Sequence, residues 1–336
     1  MEKIQHDNWK QGIAPYEKSV IRRSVWQLVN TFVPFIFLWI LAYYSLTISY
    51  WLTLALAIPA AGFFIRIFII FHDCGHHSFF KSKRANDIVG TIAGILTYVP
   101  YQQWKYTHSV HHATSSNLNR RGIGDIWTLT VDEYLALSPI RRLFYRIYRN
   151  PFVMFGIGPI YTFLIEYRFN RKGAGRKERI NTYITNLGIV GLTALICWMI
   201  GWQQYLAVHG LIFFISGVAG IWLFYVQHNF ENTYFEKEEN WDYVSAALKG
   251  SSFYNLPKIL HWMTGNIGFH HIHHLSPKVP NYYLHRVHAD NPFLQEVPSI
   301  NLISSLRSLR YRVWNEQSKK FVGFRDIHRK SKKKAS

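Results

Sequence analysis

Four stretches of this chain are apolar over twenty residues or more, at 26–47, 49–71, 182–201 and 205–226, and no other feature narrows its possible folds so far. A bilayer core of about 30 Å needs roughly 20 such residues in a helix. In hydrocarbon every backbone N–H and C=O must find its partner within the protein, which leaves helices or closed barrels. Unbroken apolar runs of this length, without strand-like alternation, point to helices. Two shorter runs, 88–101 and 152–165, are expected as interfacial or re-entrant segments.

The charges assign the ends. Lysine and arginine crowd the N-terminal segment (Lys10, Lys18, Arg22, Arg23), the segment 141–179 (Arg141, Arg142, Arg171, Lys172, Arg176, Lys177) and the C-terminal tail, while the connections 45–50 and 201–205 carry no charge. The positive-inside bias then places both termini and the middle region in the cytoplasm. The expected fold is an all-α integral membrane protein with four transmembrane helices as two hairpins. Short interfacial or re-entrant helices and a cytosolic α-helical cap complete it, in one domain over 1–336. Its cytosolic parts are 1–25, 72–181 and 227–336, with a disordered basic tail at 330–336. The net charge of +19 fits a nucleic acid or an anionic lipid surface. Because the basic residues flank the apolar runs, lipid headgroups are the expected partner, and the four spans exclude a soluble nucleic-acid binder. Twelve Trp and 21 Tyr suit two membrane interfaces. Only Cys74 and Cys197 are present, so no disulfide framework is expected. The polar residues 1–18 have no signal-peptide pattern.

Ten of the 17 histidines fall at four places, all on the expected cytoplasmic side: His72, His76 and His77; His108, His111 and His112; His228; His270, His273 and His274. On a helix, positions i, i+3 and i+4 lie within an arc of roughly 100°. The second and third boxes therefore aim three imidazoles in one direction each. His271 falls outside that arc. In the first box His77 diverges from His72 and His76, serving a different metal or a different coordination position. Imidazole suits iron, zinc, copper and nickel, and nine or ten convergent rings are about right for two ions. Asp73, Asp125, Glu231 and Asp242 are the candidates for orienting those rings through the second nitrogen. His209 is expected as a hydrogen-bonded packing residue, and His6, His285, His288 and His328 as surface residues. Phe79, Phe80, Trp104, Tyr106, Trp127 and Phe269 are expected to pack and anchor.

HDCGHH, HSVHH and HHIHH, in this order between hydrophobic hairpins, resemble the three histidine boxes of the integral-membrane fatty acid desaturases. The resemblance runs from about Trp26 to Arg312. The flanks HSVHHATSSN (108–117), GDIWTLTVDEY (124–134), VQHNFE (226–231) and GSSFYNLPKILHWMTGNIGFHHIHHLSPKVPNYYL (250–284) look like the bacterial acyl-lipid desaturases, in particular the phospholipid Δ5 type. What the resemblance implies is a diiron centre in a multi-pass protein of the bacterial cell membrane. Such a centre uses O2 to remove two hydrogens from a methylene pair of a phospholipid acyl chain. The implied metal-binding and catalytic residues are His72, His76, His77, His108, His111, His112, His270, His273 and His274. His228 matches the extra metal-binding histidine between boxes two and three.

Unactivated methylene C–H bonds offer no acidic proton, so acid–base side chains cannot do this chemistry, whereas a redox metal with dioxygen can. The two electrons have to come from outside. No G-x-G-x-x-G, cysteine set for an iron–sulfur cluster or heme-binding extension is read in the sequence. A soluble ferredoxin or flavodoxin is therefore expected, steered by the basic face. A narrow apolar tunnel, lined by the spans and by 88–101 and 152–165, is expected to measure the double-bond position. Box spacing alone leaves open a diiron lipid or alkane hydroxylase or ketolase. A membrane metal transporter fits less well, because transport would place ligands along a mid-membrane path.

Overall fold

The computed structural model describes residues 9–327, so His6, His328 and the basic tail 330–336 lie outside the described residues. Four of its helices are long and apolar enough to cross a membrane. Helices α1 (Ile21–Ser45) and α2 (Tyr50–Gly75) form the first hairpin. Helix α3 (Lys83–Leu96) and helix α4 (Tyr101–Thr114) follow. Helix α5 (Pro139–Tyr148) belongs to the cap. The second hairpin pairs α6 (Arg176–Ile200) with a span running from Trp202 through a π-helical turn into α7 (Leu211–His228). Box three sits on the short helix α8 (His270–Leu275). Two minor ladders, Phe253–Tyr254 with Ser299–Ile300 and Val313–Asn315 with Lys320–Val322, join cap segments without altering the helical class.

The helices outrun the apolar segments, always at the same end of the bundle. Helix α1 starts at Ile21, before Arg22 and Arg23; α2 continues past Phe71 through His72; α6 starts at Arg176; and α7 ends on His228. An apolar run marks only the stretch that hydrocarbon must surround. Helical hydrogen bonding continues beyond it, and the extensions of α2 and α7 carry His72 and His228. Along the spans, Leu187, Val190, Trp198 and Met199 on α6 and Ile36 and Phe37 on α1 are exposed. Outward faces of this kind need a lipid neighbour, and the protein is a membrane protein.

Neither short run forms a helix long and apolar enough to cross a membrane. Helix α3 starts from the Ser82 cap, whose hydroxyl accepts from Ala85 N at 3.2 Å, and the chain turns back through Tyr98. Gly94 permits that return, because a Cβ there would lie 2.4 Å from the Val99 carbonyl. Tyr101 then donates its hydroxyl to the Cys74 carbonyl at 2.6 Å, which brings box two back to the end that carries box one. Residues 152–165 form a π-helical turn, Phe152–Ile157, and a short helix, Gly158–Leu164, laid against α7. Phe155 meets Trp222 and Phe163 meets Phe213, with ring centroids 5.2 and 6.1 Å apart.

Candidate metal centre

Box one is the last turn of α2 and its cap, box two the last two turns of α4, His228 the last residue of α7, and box three the helix α8. Four helix ends thus meet at one place. Ligand-capable nitrogens of His72, His76, His108, His112 and His273 lie within 4.8 Å of one another, and those of His111, His228 and His274 form a second such group. In the first group, His72 and His108 approach Nε2 to Nε2 at 3.1 Å, as do His108 and His112. In the second, His111 Nε2 is 3.2 Å from His228 Nε2. His270 adjoins it, with its Nε2 3.0 Å from that of His228. The groups touch where His112 stacks on His274, centroids 4.3 Å apart.

His77, the tenth, is not brought together with the others. Its backbone is left-handed at φ 56°, and its ring turns outward, where Lys105 Nζ donates to Nε2 at 2.6 Å beside Asp87. Two carboxylates do what second-nitrogen orienters should. Asp73 Oδ1 faces His72 Nδ1 at 3.1 Å, and Asp125 accepts from His111 Nδ1, so the Nε2 atom of each ring points into a group. His228 is held likewise, donating Nδ1–H to the Gly250 carbonyl at 3.3 Å. Glu231 and Asp242 correct the sequence expectation. Glu231 pairs with Arg307, and Asp242 accepts from Ser245 N at the start of a cap helix, because both lie on loops that lead away from the histidines. His271 is buried but donates to the Leu294 carbonyl. His288, expected at the surface, lies against the rings of Phe253 and Phe269. His285 is exposed. His209 stacks on Tyr205 and meets Phe64 edge-on.

The imidazoles fit a metal. Nε2 of His76, His273 and His274 and Nδ1 of His112 and His270 are buried without a hydrogen-bond partner. Orphaned nitrogens at this density are costly unless something else engages their lone pairs. Burial, and after it the neighbouring rings, holds the pKa of His76, His108, His112, His270, His273 and His274 well below the ordinary 6.5. They are therefore neutral at pH 7, the form that binds metal. Trp104 packs flat on His108, centroids 4.2 Å apart, and also meets the rings of Phe68 and Phe71. A cavity of about 30 Å³ lies against the second group, lined by His111, His228, Asp125 and Arg121 together with Phe224 and Phe235. A space of that size admits a water-sized molecule.

One face of α2 registers box three against box one. Arg66 donates Nε–H to Thr31 Oγ1 at 3.1 Å, donates Nη1–H to the Trp262 carbonyl and stacks on the Trp262 ring at 4.2 Å. Ile69 packs on Gly265, whose φ is +54° and where a Cβ would lie 2.6 Å from Ile69 Cγ2. Asp73 Oδ2 accepts from Asn281 N and Nδ2 at 2.7 and 2.8 Å. The segments before and after box three are thus gripped by residues at helical spacing. The sequence reading passed over Arg66, although a lone arginine inside the run FFIRIF was the available signal.

A family model described as fatty acid desaturase matches residues 49–299. The chain is 61% identical over 315 residues to a fatty acid desaturase of Bacillus subtilis, covering 94% of this chain and 90% of that one. It is 28% identical over 270 residues to an sn-1 oleoyl-lipid 12-desaturase of Synechocystis, covering 76% and 72% of the two chains. An omega-6 chloroplast desaturase of Arabidopsis thaliana is 28% identical over 256 residues, 71% of this chain and 53% of its own.

Proposed function

Since this chain belongs to the fatty acid desaturase family and is an oxidoreductase acting on acyl lipids, we propose that it introduces a cis double bond at the Δ5 position of membrane phospholipid acyl chains, at a diiron centre. The observation that carries this reading is the meeting of nine imidazoles, eight of them buried, in two adjoining groups at one end of four membrane helices. His72, His76, His108, His112 and His273 would hold one iron; His111, His228, His274 and His270 would hold the other. Bound iron would supply the activation of O2 that hydrogen abstraction from an unactivated methylene requires. The chain's own part is to orient His72, His111 and His228 through Asp73, Asp125 and the Gly250 carbonyl, and to pack Trp104 on the His108 ring.

The expected tunnel has support in an apolar cavity of about 220 Å³ among the spans, lined by Trp39, Ile95, Tyr98, Leu192, Thr193 and His209. It touches the run 88–101 but not 152–165. The positive-inside bias places the metal centre on the cytoplasmic face of a bacterial membrane, within a single domain. An acidic ferredoxin or flavodoxin would meet the basic residues there. Relatives named as desaturases favour desaturation over the hydroxylase and ketolase readings. Histidines gathered at one end, and not along a path, disfavour transport.

Expression in a host lacking unsaturated fatty acids tests the proposal. Gas chromatography–mass spectrometry of derivatised lipids should locate a new Δ5 double bond that His111→Ala abolishes. Hydroxylated chains without new double bonds would reverse the reading.

A further inference from the structure

The cap carries an apolar stripe that no described part of the chain covers. Helix α5 turns Tyr145 inward, fully buried, with its hydroxyl donating to the Arg312 carbonyl at 2.8 Å. Its opposite side shows Ile140, Leu143, Phe144 and Ile147, exposed by 63, 55, 62 and 46%. Their spacing, i, i+3, i+4 and i+7, is that of an amphipathic helix whose apolar face points away from its own protein. Phe152 continues the surface, 88% exposed. From a distant part of the chain, the segment 302–310 adds Leu302, Ile303 and Leu306, with Ile303 82% exposed. Exposed arginines accompany both elements: Arg141 on the first, Arg307 and Arg310 on the second. Arg307 lies 3.3 Å from Glu231.

Hydrogen bonds fix the height of these elements. Tyr225, in the last turn of α7, donates its hydroxyl to the Ser308 carbonyl at 2.8 Å, with the Tyr311 carbonyl 2.9 Å away. Buried Arg149, just past the end of α5, donates to Tyr311 O at 3.0 Å. Tyr225 stands one residue before the end of the apolar run 205–226. Both elements therefore sit where the last span leaves hydrocarbon, and what lies beside them at that height is the bilayer surface.

We propose that α5 with Phe152, together with residues 302–306, forms an in-plane contact with the lipid bilayer. The apolar stripe enters the acyl boundary, and Arg141, Arg307 and Arg310 lie at the phosphates of anionic headgroups. This is the pattern of an interfacial helix. The cap is thereby seated on the leaflet from which the metal centre takes its chains. The inference rests on the membrane spans and is independent of where the double bond is placed.

Spin labels at Phe144→Cys and Ile303→Cys, in a Cys197→Ser background, test it in vesicles of phosphatidylglycerol and phosphatidylcholine. Both labels should collide more with oxygen than with a water-soluble nickel chelate. A label at exposed Glu239→Cys should show the reverse. Nickel accessibility at 144 and 303 equal to that at 239 would overturn the proposal. So would exclusion of both reagents, which would indicate a second copy of the chain. Should the labelled variants not fold, photo-crosslinking of the unmodified protein with a diazirine phospholipid decides: peptides from 139–152 and 302–306 should be modified, and their absence would refute the contact.

Discussion

Three histidines of the centre, His72, His111 and His228, are oriented by the atom that holds their other nitrogen. Asp125 fixes His111, and an amide in its place would keep the shape but lose the charge that strengthens the hydrogen bond. Asp125→Asn should weaken iron binding about 10- to 100-fold in chelator competition, with helix content unchanged by circular dichroism. His77 provides the contrast within one box. Since Lys105 takes its Nε2, His77→Ala should leave two irons per chain by metal analysis, whereas His76→Ala should remove about one. Equal loss from both variants would return His77 to the ligand set. The spacing HDCGHH could not make this distinction beyond the divergence of one ring. The left-handed turn that directs it outward depends on the chain leaving α2 at that point.

Helix α2 does two things at once: it carries box one and holds the flanks of box three. Arg66→Met would free the Trp262 carbonyl and the ring above it. The expected result is a drop of about 10-fold in iron affinity, as for other groups that orient ligands from behind, with partial rescue by Arg66→Lys, which keeps a donor. Loss of folding without any graded iron defect would make Arg66 merely structural. The short helix α3 bears on the substrate. Together with α6 it lines the larger cavity, where Thr193→Trp would shorten the space. Mass spectrometry of the products should then show a moved or missing double bond, and unchanged regioselectivity would argue against a ruler there. Lengths and types of the spans were readable because a bilayer demands about 20 apolar residues. Their ends were not, since α1, α2, α6 and α7 continue into polar sequence that hydropathy alone assigns to loops.

For the molecule as a whole, the centre couples protons to folding. Six imidazoles of the centre that lie outside the spans have folded pKa values below 6.5. As pH falls through 6.5, the unfolded chain binds protons that the folded chain refuses, so stability falls with pH. Chelator-treated protein should therefore melt at a lower temperature at pH 5.5 than at pH 7.5. Restoring iron at pH 7.5 should raise the midpoint, because a ligand bound only by the folded state stabilises it.

Apolar length and histidine spacing are local quantities. A helix repeats every 3.6 residues and a bilayer has one thickness, so the sequence alone determined four spans and the shared direction of the rings within boxes two and three. The allotment of nine rings to two groups, the diversion of His77, the hold of Arg66 on Trp262 and the outward stripe of α5 were decided only by the tertiary structure. Each depends on contacts between segments tens to hundreds of residues apart, and their relative height and rotation follow from how side chains pack, which no local pattern encodes.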